Sequence, residues 1–204
     1  MNGRSMAESI IAIFDFDGTI TRRDSLADFI RFSRGWFRMA AGAVVLGPVL
    51  IRYALGILGN KEAKERVLKY FFAGMPAGHL KELGTRYALM RIPRIVRASA
   101  MDRIRWHQEQ GHRVLIVTAS PALWLKPWCD REEIELIATQ LEEADGTITG
   151  NLAGANCYGA EKAARLKQEI DFSAVEYVYA YGDSHGDDEM LALADEPHYS
   201  PFSN

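Results

Sequence analysis

The sequence predicts an α/β fold in which a largely parallel sheet carries helices on both faces and an all-helical insertion follows the first strand. Three observations carry this expectation. Short apolar runs rich in β-branched residues alternate with helical stretches, as in parallel sheets. Three of those runs end in polar loops with glycine or hydroxyl side chains, at 15–19, 118–120 and 182–187. Between about Asp24 and Met90 the pattern is helical almost throughout, which is too much chain for one crossover. The expected division is therefore a core of 1–23 and 91–204, with a helical cap over 24–90 that sits above the carboxyl edge of the sheet.

The elements follow in order. Residues 9–14, Ser-Ile-Ile-Ala-Ile-Phe, suit a strand buried on both faces. After the polar loop, Asp24 and Ser25 can cap a helix opening at Leu26. The run 39–58 has Arg52 as its only charge and is about as long as a membrane span. Gly47 and Pro48 interrupt it, so it reads as two short helices turning there and buried against their neighbours. Contact with a membrane surface is the alternative. Asn60 can cap a helix to Phe72, and Pro76 can open another to about Met90. Pro93 begins a helix expected to run to Gln110 and to stop at Gly111. Strands are expected at 113–118, 135–140 and 175–181, a hairpin turn at Asp145-Gly146, and helices at 159–169 and 188–194.

Composition bounds the function. At 204 residues, 48% hydrophobic and 25% charged, the chain is of ordinary globular type and one domain in length. A net charge of −3 offers no basic face for nucleic acid. Cys129 and Cys157 stand in no ligand spacing, so neither a disulfide framework nor a zinc site is expected. Residues 1–9 lack the basic start and apolar core of a signal peptide. The expected compartment is the cytoplasm, with peripheral membrane association through 39–58 as the exception.

The chemistry concentrates at strand ends. Asp15 and Asp17 are two apart, so in extended backbone their side chains share a face. With Asp183 and Asp187 from another strand end, they form an all-oxygen donor set suited to Mg²⁺ rather than zinc. Gly18 lets the backbone approach a ligand, and Thr19 offers a hydroxyl.

Four motifs in this order, Asp15-Phe-Asp-Gly-Thr19, Val117-Thr-Ala-Ser120, Gly159-Ala-Glu-Lys162 and Gly182-Asp-Ser-His-Gly-Asp187, resemble those of the haloacid dehalogenase-like hydrolase superfamily. The helical insertion after the first motif looks like its phosphoserine phosphatase-like branch, which implies a Rossmann-like core. The resemblance implies that Asp15 is the nucleophile and that Asp17 is the general acid and then base. It implies that Mg²⁺ binds Asp15, the Asp17 carbonyl and Asp183, with Asp187 holding the metal's water shell or orienting Lys162. Thr118, Ala119, Ser120 and Lys162 are then expected to bind the phosphoryl oxygens. On the same grounds Asp24 is expected to face a substrate amine, and Arg66 a substrate carboxylate. The expected substrate is a small phosphomonoester such as phosphoserine. The apolar run resembles the bacterial phosphatidylglycerophosphate phosphatases of this branch, which keeps a lipid phosphate open. Transfer of the phosphoryl group to an acceptor other than water, as in a phosphotransferase or phosphomutase, uses the same residues.

Overall fold

The computed structural model describes residues 10–202, so Ser9, the expected start of the first strand, lies outside them. Five parallel strands form one sheet in the order β3-β2-β1-β6-β7. They are β1 (Ile10–Phe14), β2 (Arg113–Pro121), β3 (Glu135–Thr139), β6 (Tyr177–Gly182) and β7 (Glu196–Tyr199). A separate antiparallel hairpin, β4 (Leu141–Ala144) and β5 (Thr147–Leu152), turns at Asp145-Gly146 as expected. The chain winds outward from β1 to β2 and β3, then crosses back to β6 and β7. The order therefore reverses at β1, where ligands bind in such sheets.

Alternation along β1 divides the core in two. Ile11 and Ile13 face Leu166 of α8 (Ala160–Glu169) and Met190 of the short α9 (Asp188–Leu191). Ala12 and Phe14 face the other layer, a larger core that takes in Phe29, Phe72, Tyr87, Trp124 and Trp128. Phe29 belongs to α1 (Ser25–Val45), Phe72 to α3 (Asn60–Phe72) and Tyr87 to α4 (Ala77–Met90), whereas both tryptophans belong to α7 (Ala122–Arg131). The helical segment after β1 thus shares one apolar core with the sheet.

The structure departs from the sequence reading at three points. The helix expected from Pro93 to Gln110 is two, α5 (Ile92–Ile95) and α6 (Ala98–Glu109). Val96 and Arg97 between them are extended. Val96 bridges Thr21, Arg22 N–H donates to the Ile95 carbonyl at 2.9 Å, and Arg97 N–H to that of Ile20 at 2.8 Å. These tertiary bonds tie together the two chain crossings of the helical insertion and outweigh helix propensity there. Strand β7, carrying Pro197, was not expected; a short edge strand tolerates a residue without an N–H. The third correction concerns 39–58. A turn does separate α1 from α2 (Gly47–Ala54) near Gly47, and Gly35, at φ +77°, breaks α1 a second time. The run is not buried against neighbours: only Gly42, Leu46 and Leu58 within it are fully covered.

Candidate active site

β1 ends at Phe14, and the next residues form one wide turn closed by Thr21 N–H donating to the Phe16 carbonyl at 3.0 Å. Asp17 is itself extended at φ −79° and ψ 120°, but it lies inside this turn and off the β1 ladder, and Gly18 sits at φ +89°. Asp15 and Asp17 therefore diverge, contrary to the shared face expected of extended backbone.

Asp15 points toward the end of β6. Its Oδ1 accepts from Lys162 Nζ, which also donates to Asp187 Oδ1 at 2.6 Å. Asp187 Oδ2 accepts from the backbone of Asp183 and Ser184 at 3.1 Å each and from the Ser184 hydroxyl at 3.0 Å. Asp187 is thus the organiser of this loop and of Lys162. Carboxylate oxygens of Asp15, Asp183 and Asp187 lie within 4.8 Å of one another. Asp15 Oδ2 and Asp183 Oδ2 accept no hydrogen bond among the described residues. Three carboxylates beside one ammonium leave an excess negative charge that an oxygen-seeking divalent cation would balance. Burial pushes the Asp15 carboxyl up to about 7 against the pull of Lys162, and burial also raises Asp183. A cation at this point reverses that direction. The ammonium of Lys162, though buried, is held above its ordinary range by its two carboxylates.

Asp17 is turned the other way, and its carboxylate is outside that group of three. Ser25 N–H donates to its Oδ1 at 2.7 Å, and the hydroxyls of Ser25 and Ser120 both donate to its Oδ2. Burial and the nearby Asp24 raise it to about 6, against these donors. Thr118 and Ser120 come from the end of β2, where Ser120 N–H donates to Thr118 Oγ1 at 3.0 Å.

Asp15, Asp17, Thr118, Ala119, Ser120, Lys162 and Asp187 line one cavity of about 380 Å³. The helical insertion supplies its other wall, with Asp24, Leu26, Leu50, Tyr53, Asn60 and Lys64. Gly18 and Thr19 stand behind this wall rather than in it. Thr19 donates to Asp183 Oδ1 at 2.9 Å, and a Cβ on Gly18 would lie 2.2 Å from Asp183 Oδ2. Both position Asp183. Asp24 reaches the cavity and caps α1 by accepting from Ala27 N–H at 2.8 Å.

Arg66 is not brought to the cavity: it pairs with Glu62 on the exposed side of α3. The cavity cation on that helix is Lys64, which donates to the Ala119 carbonyl and to Asn156 Oδ1 at 3.0 Å each. Helical spacing explains the difference. Asn60, Ala63, Lys64 and Val67 all line the cavity and fall at i, i+3, i+4 and i+7, whereas Arg66 lies two residues beyond Lys64 and points away. Sequence reasoning missed Lys64 and the role of Ser25, although this periodicity was there to find the lysine.

A parallel sheet with an aspartate-rich carboxyl edge, a lysine tethered to two of those aspartates and a helical insertion after β1 make this an α/β protein with a Rossmann-like core and a charged site at the reversal of strand order. The chain belongs to the haloacid dehalogenase-like hydrolase family, whose model matches residues 12–192. It is 35% identical over 204 residues to Protein CicA of Caulobacter vibrioides, covering 99% of this chain and 90% of that protein. Among solved structures it is similar to a protein of unknown function from Bordetella pertussis Tohama I, with a TM-score of 0.80, 25% identity, and 94% and 88% of the two chains covered. A phosphoserine phosphatase solved as a phospho-aspartyl intermediate analogue shares the fold, with a TM-score of 0.62, 16% identity, and 91% and 83% covered.

Proposed function

We propose that the protein is a Mg²⁺-dependent phosphomonoester hydrolase working through an aspartyl phosphate. The observation that carries this reading is the placement of two carboxylates with separate partners in one cavity, the buried Asp15 beside Lys162 and the half-buried Asp17 beside Ser25 and Ser120. An Asp15 oxygen attacks phosphorus as the bond to the leaving oxygen breaks, and Asp17 gives that oxygen its proton. Water then attacks the aspartyl phosphate, Asp17 takes the proton, and inorganic phosphate leaves with Asp15 restored. Lys162 and the 118–120 backbone hold the phosphoryl oxygens, since positioning and charge dominate this chemistry. Asp15, Asp183 and the Asp17 carbonyl are the residues to hold Mg²⁺, which when bound offsets charge on the phosphoryl group.

In this reading residues 24–90 act as the cap and choose the substrate. Asp24 and Lys64 place one charge of each sign on the cap side, which suits a small zwitterionic phosphomonoester such as phosphoserine. Leu26, Leu50, Tyr53 and Val67 line the same cavity and favour a second reading, a phosphomonoester with an apolar portion such as a lipid phosphate.

The test is turnover of p-nitrophenyl phosphate by wild type and Asp15→Asn, with and without EDTA, followed by phosphoserine and a short-chain lipid phosphate as competing substrates. The expected result is Mg²⁺-dependent release of phosphate by wild type and none by a folded Asp15→Asn. Residual activity within about tenfold of wild type, a difference of only about 1.4 kcal/mol in barrier, overturns the nucleophile. Phosphate recovered on an added alcohol in place of water would identify a phosphotransferase.

A further inference from the structure

Apart from Leu50 and Tyr53, which line the cavity, the uncovered part of the helical insertion has no role in the hydrolytic reading. Beyond the break at Gly35, α1 touches the rest of the molecule mainly through Met39, Gly42 and Leu46, one narrow stripe, and α2 through Val49. Its remaining surface is apolar and open to solvent. Phe37 is 89% exposed, Val44 80% and Leu55 67%, and Trp36, Ile51 and Ile57 are each more than half exposed. Apolar exposure this concentrated in consecutive elements marks a contact surface.

Its charge says which kind. From residue 29 to residue 61 there is no Asp or Glu, while Arg31, Arg34, Arg38, Arg52 and Lys61 occur. Arg34 is turned inward to the Phe71 carbonyl, and Lys61 donates to the Gly154 carbonyl and pairs with Glu65. Arg31, Arg38 and Arg52 are exposed, and no acidic side chain pairs with them among the described residues. An acid-free, arginine-flanked apolar surface is complementary to anionic headgroups over acyl chains. A second copy of the chain would bring the same unpaired arginines face to face, because a two-fold contact sets each patch against itself. The geometry is that of a bent arch rather than of one straight span. No single helix among the described residues is long and apolar enough to span, and α1 and α2 together bend by 61°. Leu50 and Tyr53 belong both to this surface and to the cavity wall, so the cavity opens beside it.

We propose that the arch formed by the second half of α1, by α2 and by residues 55–57 docks on the surface of an anionic lipid bilayer. The apolar side chains enter the headgroup boundary, and Arg38 and Arg52 meet the lipid phosphates. The docking does not depend on the hydrolytic reading.

The experiment is flotation of the full chain with phosphatidylcholine vesicles, and with vesicles also containing phosphatidylglycerol. Two variants accompany it, Phe37→Glu with Val44→Glu, and Arg38→Glu with Arg52→Glu. Wild type is expected to float with the anionic vesicles, to stay behind with the neutral ones, and to be released by high salt. Both variants are expected to lose the floated fraction while keeping near-UV circular dichroism and wild-type turnover of p-nitrophenyl phosphate. Wild type that does not float with anionic vesicles, or variants that float as well as wild type, overturns the proposal. So does a stable dimer in light scattering that Phe37→Glu with Val44→Glu splits, which would assign the face to a second copy. Absence of turnover in a wild type that still floats counts against the hydrolytic reading alone.

Discussion

Asp17 shows how a side chain is tuned by conflict. Three hydrogen-bond donors favour its charged form, and burial with Asp24 favours its neutral form; the balance lies on the neutral side of an ordinary aspartate. Asp17→Asn keeps the shape and removes the proton. Hydrolysis of an alkyl phosphomonoester should fall by about 10²–10⁴-fold, and that of p-nitrophenyl phosphate, whose leaving group needs little protonation, by much less. Equal losses on the two substrates would take Asp17 out of the acid role. Lys64 is tuned the opposite way: burial brings its ammonium down to about 8, with Asp17 and Asp24 pulling against that shift. It is charged below that pH and neutral above it. If it holds an anionic part of the substrate, KM should rise as pH passes about 8. Lys64→Met should raise KM at neutral pH and flatten that dependence, and a wild-type pH profile retained in the mutant would count against the contact.

At the scale of elements, the turn after β1 does the most to build the site. It turns Asp17 away from Asp15, and its Gly18 takes a backbone conformation that other residues resist and, lacking a side chain, leaves room for Asp183. Gly18→Ala should therefore displace Asp183 and destabilise the fold by about 1–3 kcal/mol through overpacking. The misplaced carboxylate should lower kcat/KM by about a hundredfold and raise the Mg²⁺ concentration needed for half activity. Urea unfolding and a Mg²⁺ titration measure the two effects separately. The bridge between residues 20–22 and 95–97 is the second device. It pins both chain crossings of the helical insertion to each other, so the cavity wall carried by α1 and α3 keeps its place over β1 and β2.

Across the whole molecule, one apolar core joins the helical insertion to the sheet. Phe29 stacks on Trp124 with ring centroids 4.4 Å apart and meets Phe72 at 5.6 Å. A ring shared in this way couples α1, α3 and α7, so the chain should unfold as one unit. Phe72→Ala should cost about 3–5 kcal/mol, and tryptophan fluorescence and far-UV circular dichroism should still report a single, coincident transition. Two separated transitions would show that the helical insertion folds on its own.

The sequence by itself determined the strand-end aspartates, the order of the motifs and the alternation of strand and helix, because local pattern and spacing are written along the chain. The resemblance carried by those motifs also pointed to Lys162, whose contacts with Asp15 and Asp187 the structure displays. Tertiary structure decided what local pattern does not encode. Arg66 and Lys64 differ by two positions on one helix, and only packing shows which of them faces the cavity. The helix breaks at Val96, where the chain bridges Thr21, distant in sequence. The apolar run 39–58 reads as core material on composition, yet burial depends on whether neighbours supply a matching surface. Here they cover one stripe of it and leave the remainder open.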